Sequence, residues 1–568
     1  MKILGIANAE TASACLYVDG ELVAAVSEER FTRKKMDDSF PEQSIQYCLS
    51  SANIKIHNLD VISYGWSKGY PEDIVLQNIK RYESLNTQVE RDIFIERIVV
   101  EQERDGLKRN EFWNWVESVN LGDGTKVEDF YHHESHAFSA CMMSKFEKCA
   151  VLTCDGRGDY ESLTFSLFDP STFSLKKLFS SGSADSLGFF YGRITGLLDF
   201  KPCRHEGKIT GLAAYGDYKD TLPLMKKMID FNGKEILSNL GDFYRPFYSN
   251  YSESLVKEIG RFSREDISAA AQKHIENCLT SLVTYLYEKF GLNGLPLCLA
   301  GGVFGNVKVN QRLKELECVS QIFVQPQMGD GGLAIGSVCA SLAKRKVRPL
   351  FAHSMALGPV GGSEIEINEL VSENEEFIEF ERLDGDDLIE RIVSELNADK
   401  VVGLVRGRLE FGPRALCQRS ILYKTSDSTC NDWLNERMNR TEFMPFAPVM
   451  TNENARKYLV NYSDSDLNFR FMTSTVHASN EFTRLCPAVT HIDGTARPQV
   501  VFKSKDPWLF HLLHSWYKVS GEPSLINTSF NKHEEPIVAT YREAFSNLQD
   551  NVVDILILEN WVINMRSV

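Results

Sequence analysis

Residues 149–179, CAVLTCDGRGDYESLTFSLFDPSTFSLKKLF, follow the order of an apolar strand, a tight polar loop, a second strand, a turn and a third strand. The same order opens the chain, where ILGIA and SACLYV are followed by the turn Asp19-Gly20 and by ELVAAVSEE. Two copies of this arrangement predict a duplicated unit within an α/β fold. Two unrelated β-hairpins in a large α/β protein are the alternative.

Composition limits the class of protein. The chain has 568 residues, of which 43% are hydrophobic and 25% charged, and its net charge is −16. The length predicts roughly two to four domains, and the acidic charge argues against a nucleic-acid partner. No stretch reaches the ~20 apolar residues of a membrane helix, and Glu10 interrupts the first apolar run. We therefore expect a cytoplasmic protein without a membrane partner, and its scattered cysteines, which never form CxxC, are expected to be reduced.

Two histidines suggest a metal site. His132 and His136 stand four residues apart in YHHESHAFSA, so a helix would place them on one face. Asp155 in the DGRGD loop offers a carboxylate from another element, and this donor set suits zinc, iron or manganese. Asp330, at the start of a small-residue helix, is either a fourth ligand or the helix N-cap. For the two histidines, capping or core packing is the alternative.

Glycine-rich segments suggest a nucleotide site. EGKITGLAAYG surrounds Lys208 with glycines, so a point charge for phosphate lies beside backbone that a ligand can approach. LPLCLAGGVFGNVKVN runs from a strand through Gly301-Gly302 into a helix that carries Asn306 and Asn310. Free amides and the helix dipole at such a junction bind anions. A ligand-free turn is the alternative.

Between the two hairpins, residues 40–130 are mostly helical in pattern and rich in charge. This pattern predicts a solvated helical insert at about residues 65–125, which offers a partner surface. No chemistry is assigned to the insert. Near residue 355 a proline and a glycine pair mark a domain boundary.

The second half contains a basic stretch. Residues 401–440 hold seven Lys or Arg against four Asp or Glu, and arginine forks match phosphate oxygens. A solvated basic face is the alternative, but apolar residues between the arginines favour partial burial. Two later segments add polar groups, THIDGTARPQ with Arg497 and INTSFN with Asn527, Ser529 and Asn531. The side chains of the second segment either donate hydrogen bonds to a phosphate or carbamoyl group or form hydrogen bonds with the backbone of their own turn.

The ordered motifs resemble those of the NodU/CmcH carbamoyltransferases, which modify nodulation factors and antibiotics. The shared segments are ASACLYVDGELVAAVSEERFTRKK, HHESHAFSA, DGRGD, EGKITGLAAYG, AGGVFGNVKVN, GDGGLAIGS, EFGPRAL, PFAPV, THIDGTARPQ and INTSFN. The resemblance implies an actin-like (ASKHA) duplicated N-terminal domain over residues 1–355, similar to the universal tRNA threonylcarbamoyl transferase. It also implies a YrdC/Sua-like α/β C-terminal domain over residues 356–568.

The same resemblance implies an ATP-dependent carbamoyltransferase. Carbamoyl phosphate and ATP would give carbamoyl adenylate in the C-terminal domain, and the N-terminal metal site would pass the carbamoyl group to a hydroxyl or amine of a small-molecule natural product. The expected cofactors are ATP with magnesium, carbamoyl phosphate as co-substrate, and iron or another divalent ion. The acceptor is not identified, and a homodimer is left open.

By this resemblance, each expected role falls on named residues. The metal ligands would be His132, His136, Asp155 and Asp330. The nucleotide would contact Gly156, Lys208, Gly301, Gly302, Asn306 and Asn310. Carbamoyl phosphate and ATP would contact Arg414, Arg419, Arg440, Arg497, Asn527 and Ser529. The catalytic residues would be Glu10, Asp155, Arg414 and Ser529.

This chain departs from the family pattern at several positions. Glu10 and Thr11 stand where many members have His-Asp, so Glu10 would be the general base if burial raises its pKa. Cys417 replaces a usual glycine in ALCQRS, and Met444 stands where some members have arginine before PFAP. Two alternatives therefore stay open: an actin-like ATPase or kinase with a regulatory C-terminal domain, and a catalytically lapsed binding protein.

Overall fold

The computed structural model describes residues 1–350, 354–440 and 445–566, so Met444 lies outside the described residues. The chain divides into two compact units. Unit 1 comprises Met1–Glu28 and Asp38–Phe351, and unit 2 comprises Glu29–Asp37 and Ala352–Val568. The segment Glu29–Asp37, which begins with helix α1 (Glu29–Thr32), therefore belongs with the C-terminal part of the chain although it occurs early in the sequence.

Unit 1 is built on two five-stranded mixed sheets and one small two-stranded sheet. Its strands are β1 (Lys2–Ala7), β2 (Ser13–Val18), β3 (Glu21–Ser27), β4 (Val61–Tyr64), β5 (Lys126–Asp129), β6 (Cys149–Gly158), β7 (Glu161–Asp169), β8 (Ser174–Gly182), β9 (Ile229–Phe231), β10 (Ile236–Ser238), β11 (Leu297–Ala300) and β12 (Ile322–Val324). The two larger sheets have the orders β3-β2-β1-β4-β5 and β8-β7-β6-β11-β12.

The two larger sheets also share their strand directions. In each sheet, the three strands that come first in the sequence form an antiparallel meander: β1, β2 and β3 in one sheet, and β6, β7 and β8 in the other. The two later strands of each sheet, β4 and β5 or β11 and β12, run parallel to the first strand of that sheet. The repeat expected from the paired hairpins thus extends over two whole sheets.

The helices of unit 1 are α2 (Glu42–Ser51), α3 (Glu72–Glu83), α4 (Gln88–Ser118), α5 (His132–Met143), α6 (Leu187–Leu197), α7 (Glu206–Leu212), α8 (Leu222–Met228), α9 (Glu253–Ile259), α10 (Arg264–Phe290), α11 (Val307–Lys314) and α12 (Leu333–Lys344). Helix α5 follows the first sheet but packs on β6 and β11 of the second, whereas α12 follows the second sheet and packs on β1 and β2 of the first. The two helices contact each other because Gly336 has no side chain, and a Cβ there would lie 2.2 Å from the Ser135 carbonyl oxygen.

Helices α3 and α4 occupy the region between β4 and β5. Helix α4 begins with a capping box, in which the Thr87 side chain accepts from the Glu90 amide and the Glu90 side chain accepts from the Thr87 amide. The inner face of α4 is buried and combines apolar residues such as Phe94 and Phe112 with three charged residues, Arg97, Glu101 and Asp105. Among the residues that the structure describes, no helix is long and apolar enough to cross a membrane.

Unit 2 is centred on an eight-stranded mixed sheet of order β14-β24-β23-β15-β17-β22-β18-β21. The strands of unit 2 are β13 (Ala356–Val360), β14 (Ile378–Arg382), β15 (Val402–Val405), β16 (Arg408–Glu410), β17 (Arg419–Lys424), β18 (Ala447–Thr451), β19 (Val476–His477), β20 (Thr495–Ala496), β21 (Gln499–Val501), β22 (Leu525–Ser529), β23 (Ile555–Leu558) and β24 (Trp561–Met565). Its later helices are α13 (Glu364–Asn374), α14 (Gly385–Asn397), α15 (Cys430–Arg437), α16 (Asn452–Tyr458), α17 (Asn480–Leu485), α18 (Pro507–Ser520) and α19 (Tyr541–Gln549). Among the described residues of unit 2, the two large clusters of buried side chains are one built with α14 and α18 and one built with α13, α16 and α19, and a small third cluster contains Leu409, Ile537 and Ala539.

Candidate metal and nucleotide site

Four side chains converge in unit 1. His132 and His136 lie in the first turns of α5 with fully buried rings, Asp155 comes from β6, and Asp330 begins the 3-10 turn before α12. The Nε2 atom of His136 is 3.3 Å from an Asp155 carboxylate oxygen and 3.6 Å from an Asp330 oxygen. The corresponding distances from the His132 Nε2 atom are 3.9 and 3.8 Å. The fold thus brings all four predicted ligands together.

The donor set fits a divalent metal ion. Within the described ranges, the Nε2 atoms of His132 and His136 and the Oδ1 atom of Asp330 are buried without a hydrogen-bond partner. Ligand atoms about 2.1 Å from a tetrahedral ion stand roughly 3.4 Å apart, close to the separations found here. In the described part of the chain, the N-cap residues of this 3-10 turn and of α12 are Gly329 and Gly332, so Asp330 is the N-cap of neither element.

Electrostatics couple the histidines to the carboxylates. Burial alone would lower the pKa of His136, but the neighbouring carboxylates of Asp155 and Asp330 raise that pKa to about 9. Burial would raise the pKa of Asp155, but His132 and His136 hold it well below its ordinary value. A strong attraction between imidazole and carboxylate therefore exists at this point, and a metal cation would take the place of the proton.

A neighbouring aspartate, which the sequence did not single out, holds the start of α5. One Asp159 carboxylate oxygen accepts from the His132 amide at 2.7 Å, and the other accepts from the Ser67 hydroxyl at 2.9 Å and the Gly69 amide at 3.0 Å. Burial raises the pKa of Asp159 to about 8 despite these bonds. The sequence feature that could have identified this residue is its place at the end of DGRGD, because an aspartate there can accept a hydrogen bond from a free amide at the start of a helix.

Predicted nucleotide-site glycines surround the Asp155 carboxylate. The Gly156 amide donates to its Oδ1 atom at 2.6 Å, and the Gly302 amide donates to its Oδ2 atom at 2.8 Å. Gly301 has a φ of +108°, and a Cβ there would lie 2.2 Å from the Cys154 carbonyl oxygen. The glycine pair is therefore required for the backbone to approach the metal cluster.

The other predicted nucleotide residues have partners inside unit 1. Asn306 caps α11 by accepting from the Lys308 and Val309 amides, and its Nδ2 atom donates to Gln272 at 2.7 Å. The Asn310 Nδ2 atom donates to the Phe304 carbonyl oxygen at 2.7 Å. These contacts favour a role for both asparagines in shaping the loop. Lys208 is buried in α7, and its Nζ atom lies 5.6 Å from the centre of the Phe200 ring.

Glu10, the predicted base, lies on the loop after β1. Its carboxylate forms an ion pair with Arg104 of α4 at 2.7 Å. Burial raises the pKa of Glu10, the charge of Arg104 opposes this, and the charge of Asp330 adds to it. The Ser13 hydroxyl donates to the Gly331 carbonyl oxygen at 2.8 Å, so the loop that carries Glu10 lies beside the turn that carries Asp330.

In unit 2, Arg440 forms hydrogen bonds with polar side chains at the end of β22 and just after it. Its Nη1 atom donates to the Thr528 hydroxyl at 3.0 Å, and its Nη2 atom donates to the Ser529 hydroxyl at 3.0 Å and the Asn531 side chain at 2.9 Å. The side chains predicted from two distant motifs therefore form one hydrogen-bonded group.

Arg419 has a different environment. Its fully buried guanidinium donates to the carbonyl oxygens of Arg406 at 3.0 Å, Gly407 at 3.2 Å and Pro359 at 3.3 Å. The Glu410 carboxylate accepts from the Arg419 amide at 3.1 Å. This geometry favours a role for Arg419 in holding the segment between β16 and β17.

The remaining predicted residues of unit 2 lie around that segment. Burial lowers the pKa of Arg414, which lies between β16 and β17, to about 10. The Asn527 Nδ2 atom donates to the Ala415 carbonyl oxygen at 3.0 Å and to Gln499 at 2.6 Å. Arg497 lies between β20 and β21 and is partly buried.

Comparison with known proteins identifies the family. The family model described as Carbamoyltransferase N-terminus matches residues 2–339, and the one described as Carbamoyltransferase C-terminus matches residues 393–565. The chain belongs to the carbamoyltransferase family, is an enzyme of that class, and the resemblance found in its motifs is confirmed.

Several curated proteins are similar over most of the chain. Nodulation protein NolNO of Sinorhizobium fredii is 30% identical over 98% of this chain and 79% of its own length. An uncharacterised protein of Methanocaldococcus jannaschii is 31% identical over 99% of each chain. The 3'-hydroxymethylcephem-O-carbamoyltransferase of Amycolatopsis lactamdurans is 29% identical over 58% of this chain and 59% of its own. Among solved structures, HypF of T. kodakarensis aligns with a TM-score of 0.34 and 11% identity, over 61% of this chain and 49% of that one.

Proposed function

We propose that this carbamoyltransferase uses ATP and carbamoyl phosphate to carbamoylate a hydroxyl or amine of a small-molecule natural product in the cytoplasm. In this proposal, unit 1 is an actin-like transfer domain and unit 2 is a YrdC/Sua-like domain that makes carbamoyl adenylate. The observation that carries it is the convergence of His132, His136, Asp155 and Asp330 beside the glycine pair that follows β11. The name of the cephem relative supports an O-linked acceptor of antibiotic type.

The first stage is assigned to unit 2. Carbamoyl phosphate loses its phosphate to water and gives carbamate, whose oxygen then attacks the α-phosphorus of ATP and displaces pyrophosphate. Arg414, Arg497 and the Arg440–Ser529 group neutralise charge on the phosphoryl oxygens during this displacement. Asn527 and Arg419 keep the loop geometry through their carbonyl contacts.

The second stage is assigned to unit 1, where the acceptor oxygen or nitrogen attacks the carbamoyl carbon and AMP leaves. Glu10 accepts the acceptor proton, which its burial and raised pKa favour. The amides of Gly156 and Gly302 orient Asp155, and Asp159 orients His132 through its amide. A divalent ion held by His132, His136, Asp155 and Asp330, iron in this proposal, would supply a Lewis acid for the carbamoyl or acceptor oxygen.

The test is product analysis with the full chain. Incubation with ATP, magnesium and carbamoyl phosphate is expected to release pyrophosphate and, with an acceptor present, AMP. Release of ADP would instead support an ATPase or kinase. A lapsed binding protein would release neither nucleotide product, and no pyrophosphate under any metal condition would defeat the proposal.

A further inference from the structure

A cavity of about 700 Å³ lies in unit 1 beside α5, on a different face of that helix from His132 and His136. Its floor is formed by β7 and β8, and its walls by α5, the start of α3 and the loops before these two helices. Pockets that bind small molecules have volumes of roughly 300–1,000 Å³. The cavity is therefore large enough for a metabolite.

This cavity is separate from the proposed metal site, although α5 contributes to both. His133 lines the cavity, and its Nδ1 atom is 2.8 Å from the Thr153 hydroxyl while its Nε2 atom is 3.1 Å from the Glu161 carbonyl oxygen. Both ring nitrogens of His133 thus have partners away from the metal cluster. None of the residues that line the cavity has a role in the proposed reaction.

Most charges that line the cavity already have partners within unit 1. The Lys177 Nζ atom lies 2.8 Å from a Glu161 carboxylate oxygen and 3.0 Å from an Asp73 oxygen. Glu72 lies in the first turn of α3, where the helix dipole stabilises a negative charge. These groups do not need a ligand to balance them.

Two opposite charges, Glu134 and Lys68, remain at the cavity beside Tyr131. The Glu134 carboxylate accepts from the Tyr131 amide at 3.4 Å, and in the described part of unit 1 it forms no ion pair. The Lys68 Nζ atom lies 5.2 Å from the centre of the Tyr131 ring and 4.0 Å from Asp129, which pairs more closely with Arg109 at 3.2 Å. Opposite charges that face one cavity without pairing with each other suit a ligand that carries both signs.

We propose that this cavity binds a free α-amino acid, with its ammonium group at Glu134 and its carboxylate at Lys68. An α-amino acid carries an ammonium donor and a carboxylate acceptor on one carbon, whereas an amine or an acid alone would leave one of the two protein charges unpaired. Leu76, Ala137 and Leu175 supply apolar walls for its side chain, and Leu76, which is 63% exposed, would lose apolar surface to the ligand. This inference does not depend on the proposed carbamoyl transfer.

The sharpest variant is Lys68→Met, which removes the ammonium group and keeps an apolar stem. Lys80→Met makes the same change at an exposed lysine of α3 outside the cavity and is the matched control. Glu134→Gln is the second variant, because glutamine keeps the size of the side chain and removes its charge. Its control is Glu83→Gln, at an exposed glutamate of α3.

Isothermal titration calorimetry of the full chain measures the binding of L-leucine, L-methionine and L-phenylalanine at millimolar concentrations. Each amino acid is compared with the amine that lacks its carboxylate and with the acid that lacks its amino group, which for leucine are 3-methylbutylamine and 4-methylpentanoate. We expect at least one amino acid to bind at one site per chain, and its two analogues to bind at least tenfold more weakly. Lys68→Met and Glu134→Gln should each lower the affinity at least tenfold relative to their controls, since each loses a charge-assisted contact.

Three results would overturn the inference: binding of none of the amino acids, binding of an amine or acid as tight as that of its amino acid, or equal affinity in both variants and their controls. The last result would place the bound amino acid elsewhere on the chain. If Glu134→Gln alters the metal content of the protein, the comparison of Lys68→Met with Lys80→Met decides.

Discussion

Gly158 leaves the space that the ring of His132 fills. A Cβ at position 158 would lie 2.1 Å from the His132 Cγ atom and 2.5 Å from its Nδ1 atom. The second glycine of DGRGD therefore sets the position of a proposed metal ligand on another element.

Gly158→Ala should expel the His132 ring from its place and lower the metal content of the purified protein at least tenfold. Elemental analysis of the full chain measures this directly. Gly124→Ala is the control, since a Cβ there would meet no atom within 4 Å. Equal metal content in the two variants would contradict the assignment of His132 as a ligand.

Arg440→Lys should slow the first stage. Lysine keeps the charge but loses the planar fork that contacts Thr528, Ser529 and Asn531, so we expect kcat/KM for pyrophosphate release to fall about tenfold or more. Arg437→Lys, which alters a more exposed ion pair with Asp554, should change this rate little. Unchanged pyrophosphate release in Arg440→Lys would remove Arg440 from the proposed phosphate site.

Glu206 should make stability depend on pH. Burial raises the pKa of Glu206 to about 7, above its ordinary value of 4.5. The folded state therefore holds the proton more tightly than the unfolded state, and the resulting stability is present below pH 4.5 and lost as pH rises to 7. Glu206→Gln should remove this loss.

Urea unfolding at pH 5 and pH 8 measures the effect. The free energy of unfolding of Glu206→Gln relative to the unaltered protein should increase by on the order of 1–3 kcal/mol between the two pH values. Glu317→Gln, at an exposed carboxylate, should show no such change. A pH-independent difference for Glu206→Gln would contradict the raised pKa.

Cys417 adopts a backbone conformation that favours glycine, with a φ of +67°. A β-branched residue is strained there, so Cys417→Val should lower the free energy of unfolding by about 2–3 kcal/mol, whereas Cys417→Gly should change it by about 1 kcal/mol or less. Chemical denaturation measures both variants. Cys430→Val, at a buried cysteine on α15, is the comparison, and equal losses at the two positions would rule out backbone strain as the cause.

Local patterns were sufficient for several parts of the fold and site. The paired hairpins predicted a repeat because strand, turn and strand are encoded by neighbouring residues, and both sheets have that meander. His132 and His136 were predicted to share a face because helical spacing is local. The sequence could not decide whether Asp330 is a metal ligand or a helix N-cap, since an aspartate just before a helix is typical of both.

Other features needed contacts between distant residues. The charged pattern of α4 predicted a solvated surface, yet Arg97, Glu101 and Asp105 are buried against partners that follow β5. Arg419 matched a phosphate-binding pattern, but its donors contact carbonyl oxygens from two separate segments. A charged residue has the same sequence signal whether it faces water, a ligand or a carbonyl oxygen.

The sequence by itself determined the family, the repeated hairpins and the helical spacing of the two histidines, because these depend on residues close together in the chain. Only the tertiary structure decided that Asp155 and Asp330 meet those histidines and that Glu29–Asp37 belongs to unit 2. Such groupings depend on which distant surfaces pack together, and that is set by burial and shape over the whole fold.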